Sequence, residues 1–144
     1  LRNVSGRRVM VIISDSDDTI SRADLNDAID IAQRTQTTIF MISTKAVFLG
    51  SGSPVHFKGD LPLSTLSEQT GGTVFYPTDM LSFEKVFKLI LAELKYQYVL
   101  TYRPKNQKAD GRSRKIEVRL KKKADAAEYQ LRARKSYRIV LPVT

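Results

Sequence analysis

RVMVIISDSDDTISR, running from Arg8 to Arg22, sets five apolar residues, Val9 to Ile13, against a cluster of carboxylates, Asp15, Asp17 and Asp18. A continuous apolar run of that length is how a strand buried on both faces of a parallel sheet reads, because helices cover both sides of such a sheet. The next segment reads as helix. Ser21 and Asp24 have capping-box spacing, and Leu25, Ala28, Ile29 and Ala32 recur at the interval that places them on one face. A second apolar strand is expected from Thr38 to Ser43, giving a strand, helix, strand unit long enough for a parallel crossover.

The alternation continues outward from there. Pro62 suits the first turn of a short helix carrying Leu63 and Leu66, Gly71 and Gly72 stop it, and Thr73 to Tyr76 reads as a third short strand. Thr78 or Asp79 then caps a longer helix, with Phe83, Val86, Phe87, Ile90, Leu91 and Leu94 on one face. After Gln97 the period becomes two. Tyr98, Leu100 and Tyr102 oppose Val99 and Thr101; Ile116, Val118 and Leu120 oppose Lys115, Glu117 and Arg119; and Tyr129, Leu131, Ala133, Tyr137 and Ile139 mostly oppose Gln130, Arg132, Arg134 and Arg138. Antiparallel strands with one apolar and one basic face are expected, with Asp110-Gly111 in the turn region between the first two.

Charge divides along the same line. The chain of 144 residues has a net charge of +9, yet residues 1 to 101 carry ten Lys/Arg against eleven Asp/Glu, and residues 102 to 144 carry fourteen against four. The basicity therefore belongs to the β-rich end, where a solvated outer face is a simpler reading than a polyanion site, and this argues against a nucleic-acid partner. With no cysteine and a single histidine, thiolate zinc sites, cysteine nucleophiles and most histidine chemistry are excluded. The longest apolar run is far short of the roughly 20 residues of a membrane-spanning helix, and no secretory leader opens residues 1 to 144.

Chemistry is expected at the carboxyl end of the first strand, where open α/β sheets bind their ligands. Asp15, Asp17 and Asp18 lie there with Ser16 and Thr19, and mutual repulsion among three carboxylates favours a bound cation, a basic neighbour or raised pKa values. The plainer alternative makes Asp17 and Asp18 solvated loop residues and Asp15 an acceptor for turn N–H groups. Ser43 and Thr44 close the second strand at the same edge, and the long segment from Thr44 to Asp60, which includes His56, is placed to cover it. A lone histidine in a Gly/Ser-rich stretch reads as exposed more readily than as a ligand.

Four motifs in order carry a resemblance over nearly the whole chain: Arg8 to Arg22; Leu66-Ser67-Glu68-Gln69-Thr70-Gly71-Gly72; Gln97-Tyr98-Val99-Leu100-Thr101-Tyr102-Arg103-Pro104; and Asp110-Gly111 with Arg114 to Val118, followed by Leu131 to Tyr137. Together they resemble the von Willebrand factor type A domain, and more closely a bacterial, acidobacterial-type branch that ends in a β extension. The resemblance implies an α/β fold with a Rossmann-like three-layer arrangement, in which residues 1–97 are the carboxyl-terminal half of the domain (strands 4, 5 and 6) and residues 98–144 an antiparallel β extension packed on it. Leu1 to Arg7 are then expected to end a preceding helix.

The resemblance further implies a non-enzymatic protein-binding or adhesion module outside the cytoplasm, whose partner is not readable. The family's metal site is built from three loops, and only the third is matched, with Asp15 at its acidic position and Ser16 where the family usually has Gly. The expected metal contact is therefore Asp15, then Asp17 and Asp18, with no cofactor required and Mg²⁺ or Mn²⁺ held weakly at most; Ser16, Thr19, Ser43, Thr44 and His56 are expected on the partner-binding surface. In the family's sheet the strand matching Val9 to Ile13 is flanked on both sides, so its free edge here predicts a homo-oligomer formed along that edge. The rival is enzymatic. Asp15-Ser16-Asp17-Asp18-Thr19 also fits the Asp-x-Asp-x-Thr motif of haloacid-dehalogenase-like phosphatases, with Asp15 as nucleophile. Those enzymes need a further acidic pair after a later strand, and the third strand here ends instead in Tyr76-Pro77-Thr78-Asp79.

Overall fold

The computed structural model describes residues 6–15, 24–48, 61–121 and 131–139. The elements in chain order are β1 (Arg8–Ser14), α1 (Leu25–Arg34), β2 (Thr37–Ser43), α2 (Lys45–Phe48), α3 (Leu61–Thr70), β3 (Val74–Phe75), α4 (Met80–Lys95), β4 (Ser113–Lys115) and β5 (Ser136–Arg138). The chain is thus of the α/β class. β1, β2 and β3 form a parallel sheet in that order, with Arg8 opposite Thr37 and Ser14 opposite Ser43, while β4 and β5 form a separate antiparallel pair.

Alternation along β2 builds two cores. Phe40 and Ile42 face α4, where they pack with Val86 and Ile90 and, around them, Val9, Phe75, Phe83 and Leu94. Ile39 faces the other way, against Ala32 of α1 and Leu66 of α3, flanked by Ile12, Leu25, Ala28, Ile29 and Leu63. β2 is consequently the buried axis of the molecule, and Met41 and Ile42 have no solvent exposure.

β1 is different. Read from its apolar run, it should be covered on both faces, but it pairs with β2 along one side only, and Met10, Val11 and Ile13 are 41%, 38% and 53% exposed. An apolar strand is buried by its neighbours, not by its own composition, and among the described residues nothing lies beyond it. The apolar stripe on α4 is likewise wider than its partner: Phe83, Val86, Ile90 and Leu94 pack, while Phe87 and Leu91 face solvent. Tyr98 to Tyr102, expected as a strand, have no strand partner among the described residues and are exposed.

Short polar links fix the helix ends. Asp24, not Ser21, is the N-cap of α1, its carboxylate accepting from the Asp27 N–H at 2.8 Å; Ser21 lies outside the described residues. α1 then ends through Thr35 into Gln36, whose φ of 52° lies in the left-handed region. That conformation strains a residue with a Cβ, so Gln36→Gly is expected to stabilise the protein by up to about 1 kcal/mol in chemical denaturation; a loss of stability would show that the Gln36 side chain contributes more than its backbone costs. Arg8 donates to the Thr35 carbonyl at 2.8 Å, and Arg7 to the Leu94 carbonyl at 3.0 Å, so the start of β1 is tied to the carboxyl ends of both α1 and α4.

The β extension is bound to the helices by charge. Each of three basic residues meets a helix carboxylate: Arg132 meets Glu93 of α4, Lys135 meets Glu68 of α3, and Arg138 meets Asp30 of α1 at 2.9 Å. Their alternation in the sequence puts Arg132 and Arg138 on a solvated face. The three pairs instead fasten the segment from Leu131 to Ile139 to helices on both faces of the sheet, helped by Gln33, which donates to the Gln69 carbonyl and to the Ser136 hydroxyl. Alternation fails here accordingly, with Leu131 exposed and Arg132 and Arg134 half-buried.

Candidate binding edge of the parallel sheet

β1 and β2 end together, as parallel pairing requires. Ser14 stands opposite Ser43, and the Thr44 N–H donates to the Ser14 carbonyl at 3.0 Å, carrying the ladder one residue past the strands. Asp15 follows at this edge and is exposed, and α2 starts at Lys45 directly after Thr44. The edge therefore brings Asp15 and Thr44 together at adjacent strand ends. Ser16, Asp17, Asp18, Thr19 and His56 lie outside the described residues.

Ser43 is corrected from a surface residue to a buried one. It is fully buried, and among the described residues its hydroxyl has no hydrogen-bond partner, as is also true of Ser67 on α3. A strand covered on both faces buries its last side chain as well as its middle ones.

β3 leads to the same edge and supplies a further acidic residue. Asp79 is not available there, however, because its Oδ1 accepts from the Ser82 N–H at 2.7 Å while the Ser82 hydroxyl accepts from the Asp79 N–H at 3.0 Å. This reciprocal box caps α4 and, chiefly through the Ser82 N–H, holds the Asp79 carboxyl below its ordinary pKa. The cap accordingly favours the folded state above the ordinary carboxylate pKa and weakens as the pH falls through it. Sequence reasoning placed the cap near Thr78 or Asp79 but did not see that it removes a carboxylate from the edge.

Among the described residues no group of three or more metal-ligating side chains is found. Asp15 is the described carboxylate at the β1 end, and a hard divalent cation takes six or more oxygens. The described donor set does not make such a shell. Nor is a helix long and apolar enough to cross a membrane found among the described residues.

No family model matches the chain, and no curated protein matches it. Among solved structures it is similar to an uncharacterized membrane spanning protein from Vibrio fischeri, at 14% identity and a TM-score of 0.48, over 61% of this chain and 47% of that one. The chain therefore spans about half the length of that neighbour.

Proposed function

We propose that the chain is a non-enzymatic, von Willebrand factor A-like protein-interaction module that acts outside the cytoplasm, engages a protein partner through the carboxyl edge of its parallel sheet, and carries an incomplete metal site. The observation that carries this reading is the in-register ending of β1 and β2, which places Asp15 beside Thr44 at the edge where α/β sheets present ligand-binding residues. The four sequence motifs support it, and so does the placement of helices against both faces of a β1-β2-β3 sheet. The same module self-associates along the side of β1 that has no strand partner among the described residues, where Met10, Val11 and Ile13 are exposed.

Three measurements test the proposal. Titration with Mg²⁺ and with Mn²⁺ by calorimetry is expected to give no affinity tighter than about millimolar, and Asp15→Asn should abolish whatever binding is seen. A micromolar site would mean a complete ligand shell and would overturn the incomplete-site reading. Steady turnover of an aryl phosphate with Mg²⁺, lost in Asp15→Asn, would replace the binding module with a phosphatase. Sedimentation at micromolar concentration should give a mass above the monomer that falls on Val11→Lys; a monomer in the unsubstituted chain would remove the self-association.

A further inference from the structure

Beside the clamp that holds the β extension lies a second group of charges with a different balance. Asp30, Gln33 and Arg34 of α1 and Arg134, Tyr137 and Arg138 of the β5 segment line a shallow cleft of about 140 Å³. That is well below the roughly 300 Å³ at which pockets for drug-sized ligands begin, so the cleft is matched to one small polar group.

Its electrostatics are unbalanced. The Asp30 carboxylate is taken by Arg138 at 2.9 Å, and this pair fixes the Arg138 guanidinium at the cleft wall. Gln33 is committed to the Gln69 carbonyl and Ser136. Arg34 and Arg134 have no carboxylate partner among the described residues, whereas Arg132, Lys135 and Arg138 of the same segment each have one. Arg134 is moreover half-buried, where an uncompensated cation is costly. Three guanidinium groups against one carboxylate leave an excess of two positive charges facing one small space.

We propose that this cleft, distinct from the sheet edge discussed above, binds a single tetrahedral oxyanion, a phosphoryl or sulfo group, between the guanidinium groups of Arg34 and Arg134. Guanidinium forks match the oxygens of such groups with paired N–H donors, a geometry an ammonium does not offer. The Arg138–Asp30 pair sets the wall and the Tyr137 ring bounds it, its orientation fixed by edge-on packing against Tyr102 at 6.1 Å between ring centres. The ligand is either a free anion or a phosphate monoester on a larger molecule, and both present the same oxygens.

The test uses the full chain and ¹H–¹⁵N NMR titration at constant ionic strength, with inorganic phosphate, sulfate and O-phosphoserine as separate arms. Saturable shifts centred on residues 30 to 34 and 134 to 138 are expected, with phosphate alone marking a free anion and tighter binding of O-phosphoserine marking a monoester. Arg34→Gln and Arg134→Gln should each weaken binding about tenfold, as for loss of one charge-assisted contact. Lys88→Gln, on the exposed face of α4, should leave it unchanged. Gln keeps the helix propensity at position 34, so that variant folds independently of the ligand. Shifts that do not saturate, or that respond equally to Lys88→Gln and Arg34→Gln, would overturn the proposal by showing only diffuse screening of a basic surface.

Discussion

Gly72→Ala is expected to destabilise the protein by about 3 kcal/mol or more, which is over half of a stability near the low end for small domains. Gly72 follows α3, and a Cβ built on it would lie 1.9 Å from the Ile39 carbonyl oxygen and 2.7 Å from the Ile39 carbonyl carbon. These are backbone atoms of the central strand and cannot rotate aside. The closeness is built into the local hydrogen bonding: the Gly72 N–H donates to the Ser67 carbonyl at 2.9 Å, and the buried Thr70 hydroxyl accepts from the Ile39 N–H at 3.1 Å. Any retreat of Gly72 from β2 would pull on both. Gly111→Ala is the comparison, because nothing lies within 4 Å of the added carbon there and only its φ of +68° resists substitution. Urea denaturation of the two variants should rank them clearly, and a Gly72→Ala variant within about 0.5 kcal/mol of the parent would show that α3 and β2 separate easily.

A second comparison uses two isoleucines that face each other across one ladder. Ile13 and Ile42 are register partners on the α4 side of the sheet, yet Ile13 is 53% exposed and Ile42 is fully buried. Ile42→Ala removes methyl groups from the cluster of Phe40, Val86 and Ile90 and leaves a cavity; a loss of about 2–5 kcal/mol is expected. Ile13→Ala removes the same atoms from a half-open position and should cost under about 1 kcal/mol at concentrations where the chain is monomeric. The readout is the denaturation midpoint at low protein concentration. Equal losses would mean that Ile13 is covered in solution, and a loss at Ile13 that grows with protein concentration would identify a second copy as the cover.

The local periodicities were the legible part of this chain. The apolar run of β1, the helical spacing of α1 and α4, the glycine stop after α3 and the β3 strand all follow from contacts within a few turns of chain, and each was placed within a few residues. What was not legible depends on distant partners. The exposure of Val11, of Phe87 and Leu91, and of Tyr98 to Tyr102 is set by which surfaces meet, a property that composition does not encode. The basic residues of the extension show this most directly. Arg132 and Glu93 are 39 positions apart, Lys135 and Glu68 are 67, and Arg138 and Asp30 are 108, so charge patterning along the chain registered an outer face where three-dimensional pairing makes a clamp. At the candidate edge, Asp15 and Thr44 were placed by strand ends alone, but the burial of Ser43 required knowing that helices cover both faces of β2.

The clamp also orders events in time. Its basic members lie between positions 132 and 138, and their partners stand on helices that begin as early as position 25, so the longest closure joins residues more than a hundred positions apart. Contacts of such separation carry a large loop-closure cost and form late. As the chain leaves a ribosome, β1, α1 and β2 emerge together and can associate, whereas Glu68, Glu93 and Asp30 wait until positions 132 to 138 have followed. Until then the outer faces of three helices carry acidic groups without these cations, and the nascent chain is a different electrostatic object from the clamped one.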